Sequence, residues 1–265
     1  MKIIGFAQLR KEDEKGNLKN WVRCMEFCDY VYIVDQNSTD NSRQIYEENK
    51  NFVVTYNESN EFRNELKCKS LLLDKLLKEH PDVDWIFWMD GDTVLDQRLM
   101  NNSFAEIKRI LSDPEATGAQ AVSLGHINLW RSDTYGRLDD EYDSLSLAGV
   151  NCFWRNTGNL KFPDQEGLHK ETYPQGIELQ TVKRQDYFLI HKGFSTTEQI
   201  YERYNLYKKL GQSENSLSRL INEFGLKVQK VSPSIIPDFS INNDVDPRDL
   251  PSLIYGSICT VGSLK

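Results

Sequence analysis

The chain of 265 residues lacks several things, and each absence narrows the reading. It has no basic surplus: the formal net charge is −8 and the isoelectric point near 5.2. A nucleic-acid partner, which selects for a basic face, is therefore not expected. It has no apolar run approaching the ~20 residues that cross a bilayer, so no integral membrane segment is expected. Its opening residues, Met1-Lys2-Ile3-Ile4-Gly5-Phe6-Ala7, are apolar only briefly and do not have the shape of a signal peptide. Cysteine is sparse and odd in number: Cys24, Cys28, Cys68, Cys152 and Cys259. Cys24 and Cys28 stand at helical i,i+4 spacing, but no second pair completes a zinc site. Reduced thiols and a cytoplasmic location are the expectation. Repeats and low-complexity segments are missing too. What remains, 39% hydrophobic and 27% charged, is the composition of a globular chain with one sizeable core or two small ones.

Apolar periodicity orders the first half. Strands are expected at Ile3–Ala7, Tyr30–Val34, Phe52–Tyr56, 85–89 and 120–124. Helices are expected at Asn17–Cys28, from Ser42 to Glu48, at Glu61–Glu79 and near Ser103–Leu111. Pro81 follows the end of the long helix. Strands alternating with helices imply a mainly parallel sheet with helices on both faces. Ligands of such sheets lie outside the carboxyl ends of the strands. Beyond residue 125 the pattern loosens. Strands are expected at 150–155 and 187–191, helices at 196–210 and 216–224, and an extended tail over 231–265 wrapped on the body.

The stretch Asp84 to Asp96 is central. The short aromatic run Trp85 to Met89 reads as a buried strand that ends in Asp90-Gly91-Asp92. Carboxylates at the end of an apolar strand are costly unless compensated, and a divalent cation would compensate them, with Gly91 permitting the turn between them. A capped surface turn is the plainer alternative. Asp35 also ends an expected strand, and the agreement of Asp35 and Asp90 in position carries more than either residue.

In order and spacing these segments resemble the family 2 glycosyltransferases of GT-A fold, most clearly over residues 2–96. Asp35-Gln36-Asn37-Ser38-Thr39-Asp40 resembles that family's Asp-x-x-Ser-Thr-Asp loop, Arg63-Asn64 its Arg-Asn pair and Asp90-Gly91-Asp92 its Asp-x-Asp metal motif. A looser match, Phe153-Trp154-Arg155-Asn156 followed by Leu168-His169, resembles a bacterial subgroup with a later His-Glu pair, although Lys170 separates His169 from Glu171. His191-Lys192-Gly193-Phe194, ahead of Tyr201-Glu202-Arg203-Tyr204, resembles that subgroup's late His-x-Gly-Tyr segment.

The resemblance implies one α/β GT-A domain: a nucleotide-sugar-binding half over 1–124, a smaller acceptor-side half over 125–230 and the tail. It implies transfer of a sugar from a nucleotide-sugar donor, UDP-linked, to a hydroxyl acceptor such as a glycan, with Mn²⁺ or Mg²⁺ as cofactor. Asp92 would ligate the cation directly, and Asp90 would reach it through water or reach the ribose. His191 would be the third ligand; its alternative is a hydrogen-bonded strand-end histidine. Asp35 would hold the uracil, or else cap the following helix. The backbone around Ala7, Gln8 and Leu9 would line the same pocket. Arg63 and Lys67, four apart on the long helix, would meet phosphate or uracil, or form a solvated face. The acceptor hydroxyl's proton needs a carboxylate in an inverting enzyme. The candidates are Glu171, favoured for its place beside His169, then Glu166 and the Asp139–Glu141 run; a retaining outcome stays open. Trp130, Trp154 and Tyr173 are candidates to stack on acceptor sugars. Two rival functions are a nucleotidyltransferase, which normally carries a glycine-rich basic loop where this chain has Gln8-Leu9-Arg10-Lys11-Glu12-Asp13, and a sugar-binding domain that has lost catalysis.

Overall fold

The computed structural model describes residues 1–61, 64–113, 118–138, 150–163, 173–177, 181–223 and 226–253. Its strands are β1 (Ile3–Leu9), β2 (Tyr30–Asp35), β3 (Phe52–Tyr56), β4 (Trp85–Trp88), β5 (Thr93–Leu95), β6 (Ala121–Asn128), β7 (Tyr135–Arg137), β8 (Val150–Arg155), β9 (Thr181–His191) and β10 (Val228–Lys230). Its α-helices are α1 (Leu18–Cys24), α2 (Ser42–Glu48), α3 (Glu65–Glu79), α4 (Gln97–Ser112), α5 (Thr197–Lys209) and α6 (Glu214–Ile221).

Eight strands form one open sheet in the order β3-β2-β1-β4-β8-β6-β9-β5. From β3 to β4 every pairing is parallel. Beyond β4 the sheet is mixed: β8 runs antiparallel to both β4 and β6, β6 pairs parallel with β9, and β5 closes the edge antiparallel to β9. The expected mainly parallel sheet therefore holds only for the N-terminal half. The strand expected at 120–124 is the next in the chain after β4 and β5, yet it does not pair with β4. In the fold β8, which comes later in the chain, takes the place beside β4, because its aromatic residues satisfy β4 on its open edge: Phe153 stands opposite Phe87, with ring centroids 4.6 Å apart.

The pleat of β1 sorts the two cores. Ile3, Ala7 and Leu9 face one side with Leu18, Trp21, Tyr46, Leu99 and Ile107, so α1, α2 and α4 cover that face. Ile4 and Phe6 face the other side with Leu66, Leu72, Leu73 and Leu76 of α3. The helix expected from Ser103 starts earlier, at Gln97, and is broken at Asn101–Phe104, where three residues take positive φ. A smaller cluster gathers Trp130, Phe194, Ile200, Leu220 and Leu253. The described part of the tail packs on the body: Val231, Ile236 and Leu253 are buried. Among the described residues no helix is long and apolar enough to cross a membrane.

Candidate active site

The site is built at the carboxyl end of β4. Trp85, Ile86, Phe87 and Trp88 are all buried, so the strand has no freedom to slide, and Trp21 of α1 clamps its exit by donating its indole N–H to the Met89 carbonyl (3.2 Å). The chain then turns: the Thr93 N–H bonds the Asp90 carbonyl at 3.1 Å. Gly91 sits inside this turn with no room for a side chain, since a Cβ there would come within 2.7 Å of Leu9 Cδ2 and of Glu12 Cγ.

After the turn the chain forms β5, and tertiary pairing brings in residues a hundred positions away. Thr93 lies opposite His191 in the antiparallel β5–β9 pair, and the Lys192 N–H bonds the Asp92 carbonyl at 2.7 Å. The imidazole Nε2 of His191 stands 3.4 Å from Asp92 Oδ2. Its Nδ1 meets Asn128 Oδ1 at 3.0 Å, Asn128 being its register neighbour on β6. A carbonyl oxygen only accepts, so this contact puts a proton on Nδ1 and turns Nε2 toward Asp92.

Arg203 completes the cluster and was not among the residues singled out from the sequence. Thr196 and Gln199 form a capping box that starts α5, and Ile200, fully buried, fixes the helix's rotation. Arg203, three residues on, donates Nε–H to the Gly193 carbonyl at 3.0 Å, lies over the Phe194 ring, and pairs through its other nitrogen with Asp92 Oδ2. A Cβ at Gly193 would run into both Arg203 and Asp92, so glycine is what allows this pair to form. The signal was in the His-Lys-Gly-Phe…Tyr-Glu-Arg-Tyr segment, but no local rule links an arginine on a helix to an acid 111 residues earlier.

Electrostatics separates the two acids. Burial by itself would raise the Asp92 carboxyl; the charges of His191 and Arg203 outweigh it and hold Asp92 well below the usual carboxylate range. Asp90 reaches solvent on one side, yet the protein packed around its other sides, and then the Asp92 charge, push its carboxyl up. Glu12 packs against Gly91, and burial raises it despite the Lys15 ammonium at 2.7 Å.

The other expected residues distribute unevenly. Asp35 is buried at the end of β2, but neither caps a helix nor stands free: its Oδ1 accepts from the Ser38 N–H (2.8 Å) and its Oδ2 from the Tyr46 hydroxyl (3.2 Å). Ala7, Gln8 and Leu9 are buried at the end of β1, and the Leu9 carbonyl accepts from the Gln36 N–H at 2.8 Å. On α3 Lys67 is exposed. The lysine that turns inward is Lys69, paired with Glu65 at 2.5 Å and 4.3 Å from the Trp88 ring centre. Arg63, Glu166, His169, Glu171 and the run 139–141 lie outside the described residues.

Two expectations are corrected. Trp130 and Trp154 present no face to an acceptor: both are fully buried, Trp154 edge-on to Phe6 and Phe162, Trp130 against Phe194, with their indole N–H groups bonded inside the protein. Large aromatics bury more apolar area than any other side chain, and the core has claimed these two. Tyr173 is half-buried against the α3-side core.

The profile of the galactosyl transferase GMA12/MNN10 family matches residues 30–131, which contain β2, α3, the Asp90–Asp92 turn and the start of the β6 side. Over that span the chain resembles a glycosyltransferase family. The match covers less than half of it, and its family differs from the one that the motifs resemble; the transferase class is what the two share. Among solved structures, the chain is similar to a glycosyltransferase involved in the glycosylation of the major capsid of PBCV-1 (13% identity, 47% of this chain and 51% of that one, TM-score 0.28). It is also similar to mannosyl-3-phosphoglycerate synthase from Rubrobacter xylanophilus (16%, 48% and 41%, 0.29) and to a nucleoside-diphosphate-sugar pyrophosphorylase from Vibrio cholerae RC9 (12%, 85% and 89%, 0.29). The chain thus spans about half the length of the first two. At these scores the superpositions are partial and carry no argument about activity. No curated protein matches the chain.

Proposed function

We propose that this protein moves a sugar from a UDP-linked donor to a hydroxyl of a glycan or similar acceptor, on a GT-A-type scaffold with family 2-like motif order. The observation that carries the reading is the convergence of His191 and Arg203 on Asp92 at the carboxyl end of β4, beside Asp90.

The donor chemistry of this cluster fits a divalent cation that takes two protein ligands. Among the described residues there is no group of three His, Cys, Asp or Glu side chains placed to hold an ion, but magnesium-type sites often use one or two side chains and fill the rest with substrate phosphate and water. Asp92 and His191 would hold the ion, with Asp90 reaching it through water. Bound there, the cation supplies Lewis-acid stabilisation of the diphosphate leaving group. Asn128 fixes the His191 ring with Nε2 toward Asp92. Arg203 lends positive charge at the place where the leaving group gains negative charge, and exchanges its Asp92 partner for phosphate when the donor arrives. Asp35 lies at the end of β2, where the base would sit. Glu171 is the proposed base for the acceptor hydroxyl on motif grounds.

Calorimetry with UDP, with and without Mn²⁺, tests this reading. UDP binding that strengthens with Mn²⁺, together with hydrolysis of a UDP-sugar, supports it. Binding of a nucleoside triphosphate and sugar phosphate with release of pyrophosphate would replace it with the nucleotidyltransferase reading. UDP binding without turnover of any donor would leave a binding domain.

A further inference from the structure

Two glutamines lie at the carboxyl ends of neighbouring parallel strands on the α3 side of the sheet, and the fold treats them in opposite ways. Gln36, just past β2, is completely buried and fully used: its Nε2 donates to Cys68 Sγ at 3.2 Å, and its Oε1 accepts from Asn57 Nδ2 (3.1 Å) and from the Glu61 N–H (2.8 Å). Gln8, near the end of β1, is only 5% exposed, and both its Oε1 and its Nε2 have no hydrogen-bond partner. Buried amides are almost always satisfied, and an unmet one costs its full desolvation. A core position that needed only shape would be served by leucine. The register sets Gln8 two residues beyond the Phe6–Trp88 pair, level with Asp90, and opposite Val34, one residue before Asp35. Two residues further on, Arg10 is half-buried and its Nε is likewise buried without a partner.

We propose that Gln8 is the residue that hydrogen-bonds the base of the bound nucleotide, with Arg10 holding its phosphates. The inference rests on the nucleotide-sugar reading above and adds which side chains recognise the nucleotide. A carboxamide presents one acceptor and one donor side by side, which matches the N–H and C=O of a uracil edge and does not match a phosphate, an acceptor-only group that suits the guanidinium of Arg10. Residues two apart on an extended strand are separated by about 6–7 Å, a span comparable to the ribose between base and phosphate.

The test compares wild type, Gln8→Leu and Arg10→Gln for binding of UDP and of inorganic pyrophosphate, each with Mn²⁺, alongside thermal melting without ligand. Leucine fills the amide's space and removes its unmet polar groups, so apo Gln8→Leu melts about 2–4 °C higher than wild type. Its affinity for UDP falls about tenfold while its affinity for pyrophosphate is unchanged. Arg10→Gln loses affinity for both ligands. If Gln8→Leu binds UDP as tightly as wild type does, the amide is satisfied by water alone and the inference is overturned while the nucleotide site stands. Equal losses for UDP and pyrophosphate in Gln8→Leu would overturn it too, since the residue would then act only through the shape of the site. Wild-type protein that binds no nucleoside diphosphate would remove the underlying reading and the inference together.

Discussion

Asp92 and Asp90 stand two residues apart and differ in what surrounds them. Asp92 has His191 and Arg203 against it and stays ionised, whereas the protein packed around Asp90, and then the Asp92 charge, raise its carboxyl. Replacing Asp92 with alanine removes the group on which the cluster converges, and turnover of a UDP-sugar should drop by at least about 10²-fold, as for loss of an electrostatic stabiliser in other enzymes. Circular dichroism should show the fold retained, and near wild-type transfer by a folded Asp92→Ala protein would reject the assignment. His191→Ala should weaken Mn²⁺ binding in the presence of UDP, measured by titration; an unchanged affinity would leave Asp92, water and the diphosphate as the whole coordination shell. His126, on β6 beside His191, gives a test in acid. Burial, then the neighbouring His191 charge, push its imidazole down from 6.5 to about 3. A group depressed in the folded state contributes stability above its unfolded value and loses it as pH falls toward the folded one. Urea midpoints should therefore be flat above about pH 6.5 and decline toward pH 3, and His126→Gln should make that decline shallower. A variant with the wild-type slope would show that other groups govern the acid limb.

The elements place these residues by packing. α1 clamps the exit of β4 through Trp21, β9 carries His191 to its place opposite Thr93, and α5 turns Arg203 inward because Ile200 is locked in the small C-terminal core. The loop between β9 and α5 is the joint on which this depends, and Gly193 is its tightest point. Gly193→Ala adds one methyl group that Arg203 and Asp92 cannot both accommodate. Activity should fall about 10- to 100-fold with a small change in melting temperature, since the collision is with the end of a flexible side chain. A variant with full activity would show that Arg203 need not touch Asp92. The same reasoning explains the tryptophans: a Trp near the end of β8 or two residues past β6 falls inside the packed body, and its stacking capacity is spent on Phe6, Phe162 or Phe194.

The tail holds the two halves of the site side together. Asp133 accepts from the N–H groups of Asn242 and Asn243, Asn243 Nδ2 bonds the carbonyls of Arg131 and Ser195, and Lys192, next to His191, donates to the Ser240 carbonyl. Its own Val231, Ile236 and Leu253 are buried against the body. Ending the chain at residue 230 would remove three buried apolar side chains whose burial contributes roughly 1.5–3 kcal/mol each, and would leave Lys192 and Asp133 only their ion pair with each other. Loss of about 4 kcal/mol or more is expected by urea denaturation, together with loss of donor binding; a truncated protein as stable as the full chain would show that the tail is only draped on the surface.

Residues 2–96 were legible because their information is local. Period-3.6 and aromatic-rich patterns mark β1 to β4 and α1 to α3, and Asp35 and Asp90 stand where strand ends must stand, since the carboxyl ends of parallel strands share one edge of the sheet. The acid pair, the β9 strand and its terminal histidine were readable for the same reason. What the chain alone left undecided is non-local. β8 pairs with β4 out of chain order because Phe153 and Trp154 complete its open edge, which no periodicity encodes. Whether a tryptophan faces a sugar or a core depends on what closes over it, and Trp130 and Trp154 were decided by partners elsewhere in the chain. Gln8 and Gln36 are the same residue type near the ends of neighbouring strands, and only the three-dimensional surroundings make one saturated and leave the other unmet. Arg203 meets Asp92 through a pairing of β5 with β9 and a capped helix beyond it: sequence separation carries no record of that contact, because its strength comes from desolvation and charge in a site that exists only once the sheet has closed.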